Sequence, residues 1–297
     1  MAERTLQQLI PARDTSDGAG VRLRRSLGQG NTARLDPFLM LDEFASDDPD
    51  DYIAGFPPHP HRGFQTVTYM LEGHMRHEDH LGHRGELRSG GVQWMTAGRG
   101  IVHSEMPQQE RGRMHGFQLW INLPSAEKMK PAGYRDIPAG EIPGASFAQG
   151  VTAKVIAGTL RNGAAGGAGV AGDAGEAAAT RGPIQGLSTD PLLADLVLPA
   201  GAAFSTVVPA DYTACLYVYA GSLLVGAAGQ VIGPHCAGAL SPGESIALRA
   251  GAEEARALLL VARPLHEPVV QYGPFVMNTR AEIEQAIKDF SSGEFAR

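Results

Sequence analysis

Apolar residues fall in short runs along this chain, and nearly every run is closed by glycine or proline. In the first half VRLRRSLG (21–28), TVTYMLEG (66–73), GVQWMTAG (91–98) and GFQLWINLP (116–124) are rich in branched and aromatic side chains, which suit a pleated, half-buried surface. These runs predict short strands at barrel-like intervals. The stretch GHMRHEDHLGHRGELRSGG (73–91) predicts a hairpin that turns between Leu81 and Gly85, where Gly82 and Gly85 supply the positive φ values of a tight turn. After Pro124 the proline-broken, charged AEKMKPAGYRDIPAGEIP (126–143) reads as a connection toward a second domain.

The second half repeats the pattern. TAKVIAG (152–158), ADLVLPAG (194–201), ACLYVYAGSLLVG (214–226), GALSPGESIALRAG (238–251) and ARALLLVARP (255–264) are apolar runs parted by glycine turns, and they predict a second β-barrel. Between them, residues 161–181 are almost all small, too poor in large apolar groups to pack a core, and read as a surface loop. Only the end looks helical. In NTRAEIEQAIKDFSSGEF (278–295) Asn278 or Thr279 can cap, Glu282 falls in the first turn, and Ile283, Ala286, Ile287 and Phe290 recur at helical spacing. The fold class is therefore all-β with a short C-terminal helix. The expected division is 1–141 and 142–297.

Composition narrows the function. The length of 297 residues suffices for two cores, and 43% hydrophobic with 19% charged residues is ordinary for a globular protein. No run of about 18 apolar residues suggests a membrane span, and the charged start MAERTLQQLIPARD lacks a signal-peptide core, so the expected address is the cytoplasm. The two cysteines, Cys215 and Cys236, form neither a disulfide framework nor a thiolate metal site. A net charge of −7 argues against a direct grip on nucleic acid.

Candidate chemistry concentrates in FPPHPHRGF (56–64) and GRGIVHSEMP (98–107). Each contains a ligand pair two residues apart, His59 with His61 and His103 with Glu105. On an extended strand such residues point to one face, so two strands can bring four ligands to one point inside a barrel. Three imidazoles and a carboxylate suit a borderline divalent ion such as Fe(II), and they leave about two octahedral positions open; affinity order alone would favour copper or zinc. HRGF and GRG match neither phosphate-loop pattern, and no Gly-x-Ser-x-Gly elbow is present, which sets aside nucleotide binding and serine hydrolysis.

These residues resemble the pirin family of the cupin superfamily. The resemblance is carried by LDPFLMLDEF (35–44), HPHRGFQTVTYMLEG (59–73), GGVQWMTAGRGIVHSE (90–105) and the terminal run from PLHEP (264–268) to Phe295, in the family's order. It implies two cupin barrels of the double-stranded β-helix, jelly-roll type in tandem, with one iron in the N-terminal barrel held by His59, His61, His103 and Glu105. It further implies quercetin 2,3-dioxygenase chemistry, in which a flavonol is cleaved by O2 with release of carbon monoxide and Glu105 serves as both ligand and base. The alternative implied by the resemblance is an iron- and redox-dependent regulator that acts through a protein partner.

One departure is Gln65, where many relatives carry glutamate; it is expected beside the ligands or substrate. His115 is expected to orient a ligand from behind. The C-terminal barrel has only His235 and His266 as imidazoles and is expected to be metal-free, with His266 a structural hydrogen-bonding residue. His74, His77, His80 and His83 recur every third residue. On a strand His74 and His80 face one way and His77 the other, so the four cannot meet one ion; they read as exposed hairpin residues, with His74 or His80 able to reach substrate.

Overall fold

The structure is a computed structural model that describes residues 2–30, 34–163 and 179–295. The chain divides into two compact units, one formed by Met1–Ala12 with Glu141–Pro264 and the other by Arg13–Gly140 with Leu265–Arg297. Each is an antiparallel barrel of a seven-stranded and a four-stranded sheet. Among the described residues no helix is long and apolar enough to cross a membrane.

The interior border at Gly140 and Glu141 lies next to the expected one, but the ends of the chain belong elsewhere. Leu6–Pro11 pairs antiparallel with Cys236–Leu240 and so extends the edge of the second barrel's larger sheet. The C-terminal segment joins the first barrel's unit. There Phe275, Met277, Ile283, Ala286 and Phe295 form one apolar cluster, with Val102 and Val270 packed against it. The expected assignment of both ends by linear order is thus corrected: backbone pairing claims one end and apolar burial the other.

In the unit of Arg13–Gly140 the larger sheet runs in the order Gly133–Ile137, Val92–Thr96, Phe64–Glu72, Met114–Asn122, Phe38–Ser46, Val21–Leu27 and Arg13–Asp17. The smaller sheet runs Phe56–His61, Ile101–Pro107, His74–Asp79 and Arg84–Arg88. Met75 and Leu87 of the smaller sheet pack on Phe44, Met70 and Met114 of the larger, which holds the two faces together. The expected connection after Pro124 contains a strand, Gly133–Ile137, paired with Val92–Thr96. Lys128, also in that stretch, is buried and donates to Gly63 O, Asn122 Oδ1 and Val276 O at 2.8, 2.7 and 2.9 Å.

The hairpin forms as expected, with one change. Gly82 takes φ 82° in the turn, whereas Gly85 lies inside the second strand opposite His77. A Cβ on Gly85 would meet Asp136 Oδ2 at 2.0 Å, so its glycine serves close packing rather than a turn.

The other unit repeats the architecture. Its larger sheet orders Leu6–Pro11, Cys236–Leu240, Thr213–Ala220, Ala255–Ala262, Leu192–Leu198, Thr152–Ala157 and Gly144–Ser146. Its smaller sheet orders Ala203–Val207, Ser245–Ala250, Leu223–Val225 and Gln230–Ile232. Of the small-residue stretch, Thr159–Arg161 pairs with Ala179–Arg181, and residues 164–178 lie outside the described residues.

The helix spans Arg280–Ser292. Thr279 caps it through a reciprocal bond with Glu282, and Gly293 ends it in the left-handed conformation. Ile283 and Ala286 are buried; Ile287 and Phe290 are largely exposed, although the Phe290 ring meets those of Phe275 and Phe295. Arg62, one residue after His61, reaches the helix by an ion pair with Asp289 at 2.7 Å and stacks on Phe295.

Candidate metal centre

His59 and His61 lie on Phe56–His61, and His103 and Glu105 on the antiparallel neighbour Ile101–Pro107. The register sets His103 opposite His59 and Ile101 opposite His61. A register shift between His103 and Glu105 follows, so the two strands are not evenly paired across the ligand positions. The result is a cluster of three imidazoles, His59, His61 and His103, whose nitrogens lie within 4.8 Å of one another. Two of the three are buried, and His59 is half-buried.

Several features fit this cluster to a cation. The Nε2 atoms of His59 and His61 are 2.9 Å apart. Two metal–imidazole bonds of about 2.1 Å at right angles would separate their nitrogens by about 3.0 Å. His59 Nδ1 donates to Pro57 O at 2.8 Å, which leaves its Nε2 lone pair free. His103 Nε2 is buried with no hydrogen-bond partner. Burial first, and neighbouring imidazoles second, push His61 and His103 well below the ordinary histidine range, so both are in the neutral, lone-pair-bearing form that binds metals.

Glu105 is buried nearby but is not part of the three-imidazole cluster. Its two oxygens accept from Thr68 Oγ1 and from Gln118 Nε2, each at 3.0 Å, and Trp120 Nε1 donates in turn to Gln118 Oε1 at 3.0 Å. This chain of donors fixes the carboxylate. Thr68, Gln118 and Trp120 come from the larger sheet, so the site is assembled where the two sheets face each other. His61 contacts the rings of Phe64 and Trp120 edge-on, at 5.2 and 5.3 Å between centroids.

A cavity of about 550 Å³ opens on this site. Leu23, Met40, Phe44, Phe56 and Trp120 give it apolar walls, and His59, His61 and Gln118 lie along it. Gln271 and Arg25 also line it; Arg25 Nε and Nη2 hold the buried Asp42 carboxylate at 2.8 and 2.7 Å, with Asp17 on Nη2 at 2.9 Å. The two carboxylates raise the Arg25 pKa further above its usual range, so this guanidinium stays charged.

Gln65 and His115 lie on strand faces turned from the residues that meet Glu105. Gln65 donates to Thr96 Oγ1 at 2.8 Å, and strand alternation turns it away from the face that carries Phe64 and Thr68. His115 pairs with Glu43 at 2.9 Å; Gln118 and Trp120 lie an odd number of residues away, on the opposite face of its strand. The same alternation corrects the expectation for both residues.

His77, by contrast, belongs to the site. It is only 2% exposed, and its Nδ1 lies 3.1 Å from His103 Nδ1. The other three of the histidine row stay near the surface, where His74 meets Glu86, His83 meets Asp79, and His80 accepts from the Val102 N–H. Neither His74 nor His80 lines the cavity. The signal for His77 was present in the apolar alternation: Met75 marks the inward face of the strand, and His77 stands two residues on.

Comparison with known proteins agrees with this arrangement. Residues 20–121 match the Pirin family model and residues 193–296 match that of the Pirin C-terminal cupin domain. A Pseudomonas aeruginosa protein provisionally named quercetin 2,3-dioxygenase is 51% identical, over 99% of this chain and 98% of its own. A pirin-like protein of Caulobacter vibrioides is 46% identical over 99% of this chain and all of its own. The crystal structure of a quercetin 2,3-dioxygenase from Acinetobacter baumannii superposes with a TM-score of 0.87 at 32% identity and covers 99% of both chains. Two cupin-type barrels, one with a buried triple-histidine cluster that fits a metal site, in a sequence matched end to end by these relatives, make this chain a member of the pirin family.

Proposed function

We propose that this protein is a mononuclear Fe(II) dioxygenase that cleaves flavonols such as quercetin with O2 and releases carbon monoxide. The observation that carries the reading is the cluster of His59, His61 and His103 at an apolar cavity large enough for a flat polycyclic molecule. The related Acinetobacter structure bears the name of the same activity. His59, His61 and His103 would hold the ion, with Glu105 as the fourth ligand. Bound Fe(II) would supply the Lewis acidity that lowers the pKa of a coordinated hydroxyl.

The chain's own groups account for the rest. Met40, Phe44, Phe56 and Trp120 bury the aromatic rings and displace water from the cavity. Thr68 and Gln118 keep the Glu105 carboxylate oriented while it accepts the proton of the flavonol 3-hydroxyl at a free lone pair. Gln118 cannot turn away, because Trp120 holds its other end. No observation favours the regulatory alternative.

The test is anaerobic purification with metal analysis, followed by oxygen uptake and carbon monoxide release on addition of quercetin. The expected result is near-stoichiometric iron with turnover, both abolished in a His59→Ala, His61→Ala variant. A full iron site without turnover would exclude the dioxygenase reading.

A further inference from the structure

We infer that His77 is a positioning residue for the metal ligand His103, acting as a neutral hydrogen-bond acceptor that fixes the ligand's tautomer and ring orientation. This rests on the metal-site reading above and adds to it a residue outside the expected ligand set.

The geometry allows one proton arrangement compatible with a ligand. His103 Nε2 is the buried atom without a partner, so it is the one that can face an ion, and its lone pair must be free to do so. The ring proton of neutral His103 then sits on Nδ1. That atom lies 3.1 Å from His77 Nδ1, so His103 donates and His77 accepts. His77 in turn carries its own proton on Nε2, which is buried without a partner.

His77 is itself held in place. It lies on the inward face of His74–Asp79, opposite Glu105 on one neighbouring strand and Gly85 on the other. Its ring packs against those of Tyr134 and His103 at 4.9 and 4.8 Å between centroids.

The choice of acceptor has a chemical consequence. Ligating histidines usually donate their second N–H to a carboxylate, a backbone carbonyl or water. A neutral imidazole orients His103 equally well but adds no negative charge behind it. The ligand stays less basic than one backed by a carboxylate, and more of the ion's positive charge is left for substrate oxygens.

The experiment titrates anaerobic, metal-free protein with Co(II) at fixed pH, reading the visible absorption of the bound ion. It compares wild type with His77→Phe, which keeps the ring and removes the acceptor, and His77→Asn, whose Oδ1 can stand where Nδ1 stood. His77→Leu replaces the phenylalanine variant if that fails to fold. Loss of a group behind a ligand typically weakens binding 10–100-fold. The expectation is a loss of that size in His77→Phe, recovery to within about threefold of wild type in His77→Asn, and an altered Co(II) spectrum only in the former. Equal affinity of wild type and His77→Phe would overturn the inference alone. So would an asparagine variant as weak as the phenylalanine one, which would reduce His77 to a packing residue. A wild-type protein that takes up no Co(II) would overturn the metal-site reading itself.

Discussion

Gly63 connects the ligand strand to the body of its barrel, and Gly63→Ala tests how tightly that connection is built. Its φ of 90° lies where L-residues are strained, at roughly 1–2 kcal/mol. An added Cβ would meet Val276 O at 2.0 Å, a backbone atom with no side-chain freedom to retreat. Val276 is moreover held on both sides: its N–H donates to Arg62 O at 3.0 Å and its carbonyl accepts from Lys128 Nζ. Overpacking of this kind costs roughly 1–3 kcal/mol, so the total expected loss is about 2–5 kcal/mol. Gly82→Ala is the control, because Gly82 has φ 82° but nothing within 4 Å of the added methyl, and it should lose only the backbone part. Both tryptophans, Trp94 and Trp120, lie in this unit, so urea titration followed by tryptophan fluorescence reports it selectively. If the two alanine variants lose equal stability, the Val276 contact carries no weight and the argument for a clamped ligand strand fails.

Three further outcomes follow from the same unit. Burial lowers the Lys128 pKa from 10.5 to about 8, so between those values the unfolded chain binds more protons than the folded one and stability rises with pH; the gain is about 3 kcal/mol, absent in Lys128→Met, and urea midpoints from pH 7 to 10.5 would show it. Thr279→Ala removes the capping box and should cost about 1 kcal/mol, seen as faster amide exchange in the first turn of the C-terminal helix. Saturation with Fe(II) at a hundred times its dissociation constant should stabilise the unit by about 2.7 kcal/mol, reversed by a chelator, and a melt unchanged by metal would count against the site.

The strands and the two-barrel plan were legible because glycine and proline punctuate short branched runs, and a strand's period of two is robust over five residues. The three histidines were legible for the same reason, since neighbours two apart must share a face. What escaped was long-range. Nothing local in LQQLIP states that it will pair with CAGAL, and nothing in the helix's apolar spacing names the barrel that will bury it. Gln65 was singled out because many relatives carry glutamate there, and His115 because it precedes an apolar strand, whereas alternation places each on the face turned from Thr68 or from Gln118 and Trp120. His77 was misjudged because its row was read as a repeat of histidines. Met75 and His77 as an inward pair, read against Leu87 on the partner strand, would have turned it toward the site.

The contrast between the two barrels argues that the site is a property of side chains rather than of topology. Both units use the same order of strands in both sheets, except that the edge strand of the larger sheet is Gly133–Ile137 in one and the chain's first strand, Leu6–Pro11, in the other. In the second, the strands corresponding to those of the ligands carry Phe204 and Thr206, and Ile246 and Leu248, at their buried positions. Phe204, Ile246 and Leu248 merge with Leu196, Leu216 and Leu259 into one continuous apolar cluster. The first barrel interrupts its core at the same place with three imidazoles, a carboxylate, Thr68 and Gln118. Buried polar groups of that number are tolerated only where they are paired or hold an ion. Among the described residues His61 Nδ1, His77 Nε2 and His103 Nε2 are buried without a partner, so that requirement goes unmet by protein alone at the imidazoles gathered here, and His61 and His103 belong to the three-histidine cluster.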